Sequence, residues 1–198
     1  MKEGKITTWL FLGVFAMVAV IVLGAVFWQE KSKTTVENAS FTFSQAVGKE
    51  AQDFTLQSYD EKTYKLSELR GKNILLFFNE GVMCYPSCWN QVMELGKDKR
   101  FEENNTLAFS VVVDTKEKWA QAVTKMPELS EAKVLLDTDT SVSRKYGILT
   151  LPSSMHPGSM PGHTYVLIDK EGIIRYTLDD PQMGIHNEKL IEEIKKLS

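Results

Sequence analysis

The sequence predicts an α/β domain with a mixed central sheet, preceded by one N-terminal transmembrane helix. Three observations carry that expectation. After residue 70, apolar runs of strand length alternate with stretches of helical period, the pattern of an α/β sheet. Near the end, TYVLID (164–169) and IIRYTL (173–178), joined by KEG, read as a hairpin, which makes the sheet mixed rather than all parallel. At the start, WLFLGVFAMVAVIVLGAVFW (9–28) carries no charge.

The elements follow in order. The uncharged run is long enough to cross a hydrocarbon core, which takes about 20 helical residues, and Trp9 and Trp28 sit at its two ends, where indoles favour the membrane interface. A cleaved signal peptide would show a small-x-small site, and VFWQEK has none. Residues 1–29 are therefore expected to be a membrane anchor. Lys2 and Lys5 before the span nearly balance Lys31 and Lys33 after it, so the expected extracytoplasmic placement of the domain rests on the early position of the span. Residues 30–46 are polar and unpatterned and read as a tether, leaving 47–198 as the folded domain. There, DFTLQS and TYKLSEL flank the turn YDEK as a short hairpin. NILLFFN (73–79) and LAFSVVVD (107–114) are buried strands, VLLD (134–137) is a shorter one, and KEKWAQAVTKM (116–126) and TSVSRKYGI (140–148) are helices. HNEKLIEEIKKL places Leu190, Ile191, Ile194 and Leu197 on one helical stripe.

Composition is that of one ordinary globular domain: 43% hydrophobic, 25% charged, formal net charge −3. Without a basic stripe, nucleic acid is not an expected partner. No phosphate-cradling glycine loop is present, so no organic cofactor is expected.

The chemistry concentrates in NEGVMCYPSCW (79–89), which holds both cysteines of the chain, Cys84 and Cys88. They follow a buried strand and open a helix, where free backbone N–H groups and the helix dipole favour thiolate. Four residues apart, they can share one helix face and meet the Cα separation of about 7 Å or less that a disulfide needs. So short a loop makes a poor entropic staple and suits a bond that opens and closes. A redox pair, a metal site and two inert thiols all remain open on the residues alone. Around them, Trp89 reads as helix packing and Glu80 as a solvated charge, with a proton-acceptor role as its alternative. Pro86 reads as a helix-start residue, and Asp114 and Asp169 as turn formers.

VGKEAQDFTLQSYDEKTYKLSELRGKNILLFF, LLDTDTSVSRKYGIL and HTYVLIDKEGIIRY, in that order, resemble the thioredoxin-fold redoxins of the AhpC/TSA (peroxiredoxin-like) family over about residues 47–197. The resemblance implies a thioredoxin-like fold and a thiol-dependent oxidoreductase that acts as an antioxidant redoxin. Such an enzyme would reduce a peroxide or a disulfide through a Cys84–Cys88 dithiol/disulfide cycle. Its implied electron donor is a thiol, either a thioredoxin-like protein or a small thiol. Cys84 falls at the family's reactive cysteine. Gly81 stands three residues before it, where the family carries a hydroxyl residue, and His163 occupies the slot of its late arginine. His163 is thereby implied as a third catalytic residue beside Cys84 and Cys88, supporting the thiolate.

Cys-x-x-x-Cys with a late histidine also resembles the Sco family of membrane-anchored copper proteins. That likeness implies the alternative of a copper-binding or copper-delivery protein with Cys84, Cys88 and His163 as ligands, chemically apt because thiolate and imidazole both suit copper. PSSMHPGSMPGH (152–163) adds Met155, His156 and Met160 as further soft or nitrogen donors, and Met183 and His186 follow.

Overall fold

The computed structural model describes residues 41–197. The anchor expected over 1–29, and the tether up to residue 40, lie outside the described residues. Among the described residues no helix is long and apolar enough to cross a membrane.

The domain is built on a five-stranded sheet. Strands β1 (Thr55–Gln57) and β2 (Thr63–Lys65) form the small antiparallel hairpin expected at the start. Then come β3 (Asn73–Asn79), β4 (Thr106–Val112), β5 (Lys133–Leu136), β6 (Thr164–Ile168) and β7 (Ile174–Asp179), ordered β5-β4-β3-β6-β7 in the sheet. β3, β4 and β5 run parallel; β6 is antiparallel to β3, and β7, antiparallel to β6, runs in the β3 direction again, so the sheet is mixed. The helices are α1 (Ser87–Lys97), the single turn α2 (Arg100–Glu103), α3 (Lys116–Lys125), α4 (Ser141–Lys145) and α5 (Asn187–Lys195).

The continuous apolar run of β3 has a direct cause. Every one of its residues is buried, because side chains alternate between two covered faces. Ile74, Leu76 and Phe78 enter a core shared with β1, β2 and α4; Leu75 and Phe77 enter a second core closed by α1, α3 and α5. α3 opens on Thr115, whose hydroxyl accepts from the Lys118 amide, and stops before Pro127, which cannot continue a helix. α4 is capped by a buried carboxylate: Asp137 accepts from the amides of Val142 and Ser143 and from the Ser143 hydroxyl. Burial pushes the Asp137 carboxyl up despite these bonds.

One boundary differs from the sequence reading. The tether was expected to run to residue 46, yet Phe43 and Ala46 are buried in the first core, and Phe41 lies edge-on to Tyr146 with ring centroids 5.6 Å apart. A Phe–x–Phe pair spaced by two reaches a single hydrophobic surface even inside a polar stretch, so residues 41–46 belong to the domain rather than to the tether.

Candidate active site

The site lies where the C-terminal end of β3 meets the N-terminal end of β6. Phe78 pairs with Thr164 in the antiparallel register, which brings the turn after Asn79 beside His163. His163, Tyr165 and Leu167 alternate onto the face that carries α1, and this is why a histidine at the start of β6 points at the cysteines of α1.

The turn is built from short polar contacts. Asn79 Oδ1 accepts from the Gly81 amide at 2.9 Å, and Asp114 Oδ2 accepts from the Val82 amide at 2.7 Å. Gly81 has φ +61°, and a Cβ there would stand 1.7 Å from Asp114 Oδ2. Glycine is thus required at the position where the family carries a hydroxyl residue. Asp114, expected as a turn former, anchors this turn from β4's end; its burial pushes the carboxyl up, and the Val82 bond opposes that. The Trp89 indole donates to the Gly81 carbonyl at 3.1 Å and packs edge-on to Tyr85, which bears out the packing role read for it.

A one-turn 3-10 helix, Gly81–Met83, ends on Cys84, and α1 begins three residues later at Ser87. Cys84 therefore precedes the helix instead of opening it, although the Cys88 amide already donates to the Cys84 carbonyl at 3.0 Å. The Tyr85–Pro86 peptide is cis. Cys84 and Cys88 are joined as a disulfide with their Cα atoms 5.3 Å apart. Both are buried, at 3% and 1% exposure, while the flanking Met83 and Tyr85 are exposed at 55% and 65%.

His163 is fully buried, with Nδ1 3.6 Å from Cys88 Sγ. Its Nε2 lies 3.0 Å from the Gly184 carbonyl oxygen and 2.7 Å from the Tyr165 hydroxyl oxygen. A carbonyl can only accept, so the proton sits on Nε2 and the Nδ1 lone pair faces sulfur. Burial pulls the imidazole down to about 4, with the Gly184 bond opposing it, and the ring is neutral at neutral pH. Gly162 supplies the close approach that brings the preceding loop over this histidine: a Cβ there would lie 2.3 Å from the Ser153 backbone carbon.

The other sulfur and imidazole donors are dispersed, with one exception. Met183 Sδ lies 3.9 Å from Cys84 Sγ. His186 instead bonds Asp180 Oδ2 at 2.7 Å, closing the loop whose Gly184 carbonyl holds His163. Met155 and His156 are drawn away to Glu80, and the Met160 carbonyl accepts from Ser154 Oγ. Glu80 corrects the sequence reading of a solvated charge. It is buried, and its carboxylate accepts from the Met155 amide at 2.7 Å, the His156 amide at 3.1 Å, the Ser154 hydroxyl at 3.3 Å and His156 Nδ1 at 2.8 Å. A buried carboxylate needs such partners, and they come from a loop more than seventy residues away. Cys84, Cys88 and His163 each offer one ligand atom within 4.8 Å of the others, a set that could also hold a soft metal ion.

Comparison with known proteins agrees with this geometry. Residues 47–177 match the AhpC/TSA family. A Haemophilus influenzae relative provisionally named peroxiredoxin bcp is 28% identical over 160 residues, which span 77% of this chain and 97% of the relative. The mitochondrial 2-Cys peroxiredoxin of Plasmodium falciparum superposes with a TM-score of 0.64 at 22% identity, covering 76% of this chain and 92% of its own. The Mycobacterium tuberculosis peroxidoxin BcpB does so with a TM-score of 0.63 at 18% identity, covering 77% and 98%. At these identities the two structures speak for the fold alone, which is thioredoxin-like.

Proposed function

The chain belongs to the AhpC/TSA family of thiol-dependent oxidoreductases, and from that premise we propose that it reduces a peroxide through a Cys84–Cys88 dithiol/disulfide cycle. The observation that carries the reading is the Cys84–Cys88 bond itself, set beside a neutral imidazole. Cys84 thiolate attacks the peroxide, breaking the O–O bond. The sulfur becomes sulfenic acid, and the alkoxide or hydroxide leaves with a proton. Cys88 then attacks that sulfur, the S–O bond breaks, water departs, and the disulfide is formed. A thiol donor returns both sulfurs to the reduced state. Met83 and Tyr85, both exposed, place Cys84 nearer to solvent than Cys88, which is embedded in α1. His163 supports the sulfurs from within. A protein disulfide is the alternative oxidant for the same pair.

The domain is tethered to a lipid bilayer by residues 9–28 and faces the extracytoplasmic side; the uncharged run and its flanking tryptophans support the span, and its early position in the chain supports the sidedness. Protease protection of the domain in intact cells tests it.

The enzymatic reading is tested by peroxide consumption with a thiol donor. Cys84→Ser abolishes turnover, whereas Cys88→Ser retains one equivalent of peroxide consumed per chain and accumulates sulfenic acid. Unchanged steady-state rates in Cys84→Ser would end this reading.

The clustering of three ligand atoms within 4.8 Å favours a second reading, copper binding by the reduced pair with His163, and Met183 lies next to Cys84. Anaerobic titration of the reduced chain with Cu(I) then gives one tight equivalent that is lost in His163→Ala; the lack of a stoichiometric endpoint would remove it.

A further inference from the structure

A groove runs along one side of the active-site turn, between that turn and α3. Two adjoining cavities make it, of about 380 and 290 Å3, both lined by Val82, Trp89 and Lys125. Tyr85 and Met126 complete the apolar wall of the larger, and Lys118 rims the smaller. Lys118 and Lys125 are exposed and form no ion pair among the described residues. Asp114, which feels the Lys118 charge, is buried and bonded to the Val82 amide. The groove is therefore apolar at its base and positive at its rim.

We infer that this groove docks an extended acidic segment of a protein electron donor, one whose reactive cysteine sits among Asp or Glu and apolar residues. The inference rests on the redox cycle above and names its partner. Two features favour a peptide over a single small anion. Lys118 and Lys125 are seven residues apart on α3, about 10 Å along the helix axis, too far for one carboxylate to serve both but within reach of three or four extended residues at about 3.3 Å each. The wall also carries Tyr85 and Trp89, large rigid side chains of the kind that anchor protein segments at interfaces. Cys84 sits in the chain between Met83, which lines the smaller cavity, and Tyr85, which lines the larger, and is itself buried, so a segment docked here lies next to the 83–85 turn that must yield before reaction. The donor thiolate then attacks Cys84 Sγ. The Cys84–Cys88 bond breaks, Cys88 leaves as thiolate, and a donor–Cys84 disulfide forms. A second donor thiol releases Cys84, so that the donor's two thiols are oxidised to one disulfide and the chain's disulfide is reduced to two thiols.

The test compares two synthetic dithiol peptides, one with Glu and one with Lys flanking the cysteines, each at equal thiolate concentration, with dithiothreitol as the uncharged reductant. Reduction of the oxidised full chain is followed by Trp fluorescence. The acidic peptide reduces the wild type about tenfold faster than the basic one, since two exposed opposite-charge contacts replace two like-charge ones. In Lys118→Glu/Lys125→Glu the preference inverts, while dithiothreitol-driven reduction and peroxide turnover stay unchanged. Equal rates for the two peptides, or an unaltered preference in the double variant, overturn the docking site and leave the redox cycle standing. Loss of dithiothreitol-driven peroxide turnover in the wild type would instead strike the cycle. Laurate blocking the groove while the acidic peptide does not compete would give the site to an anionic amphiphile and reject the proposal. So would a concentration-dependent dimer abolished by the double variant.

Discussion

The Nδ1 of His163 stands 3.6 Å from the Sγ of Cys88, and its Nε2 proton is engaged by the Gly184 carbonyl. An imidazole so enclosed resists protonation, and its ordinary value of 6.5 falls to about 4. The unfolded chain therefore binds this proton first as the pH drops. With the folded value depressed, the stability of the folded form is constant above about pH 6.5 and declines from there towards pH 4.

Urea unfolding of the oxidised protein at pH 7.5 and pH 4.5 checks this. Wild type loses about 2–3 kcal/mol more than His163→Gln between the two values, from the shift at 1.36 kcal/mol per unit. The buried carboxyls of Asp114 and Asp137 shift upwards and act in the opposite sense, but they are common to both proteins and cancel in the difference. Equal losses in both would show that His163 is not held neutral by its surroundings.

Gly81→Ala tests the turn. The added methyl meets a left-handed backbone and the Asp114 carboxylate together, so a loss of about 2–4 kcal/mol is expected. Peroxide turnover falls with it, because Val82 can no longer keep its bond to Asp114. A stability within about 0.5 kcal/mol of wild type, measured by denaturant midpoint, would contradict the close approach.

Glu80→Ala leaves the Met155 amide without its acceptor and the His156 amide with Ser154 Oγ alone. The cost is about 2–4 kcal/mol, and hydrogen exchange should localise it: protection is lost at 155, weakened at 156 and retained along β3. Glu80→Gln, which keeps one acceptor oxygen, is milder. Uniform loss of protection would mean that the loop is not held through this carboxylate.

Shortening the chain to begin at residue 47 removes Phe41 and Phe43 together. Deleting a buried Phe side chain costs about 3–5 kcal/mol, so this chain unfolds at lower urea than one beginning at residue 41. Coincident midpoints would restore residues 41–46 to the tether.

The sheet was readable because its signals are local. NILLFFN and TYVLI announce strands covered on both faces, and Cys84 and Cys88 lie within one turn of each other. His163 was reached only through its slot in a resembled family, since nothing in HTYVLID by itself says that residues 163 and 165 face α1. Glu80 was misjudged for the converse reason. A carboxylate next to a glycine reads as solvent-facing, and what buries Glu80 is the 153–156 loop, which the sequence places far away. Phe43 was hidden by the polar residues around it.

The near-complete enclosure of both sulfurs sets a ceiling on how fast the enzyme can be recharged. A reductant must approach along the S–S axis, and with both cysteines buried the chain packed on them has to move first. As reductant is raised, the recharging rate levels off at the frequency of that motion, whatever thiol is supplied.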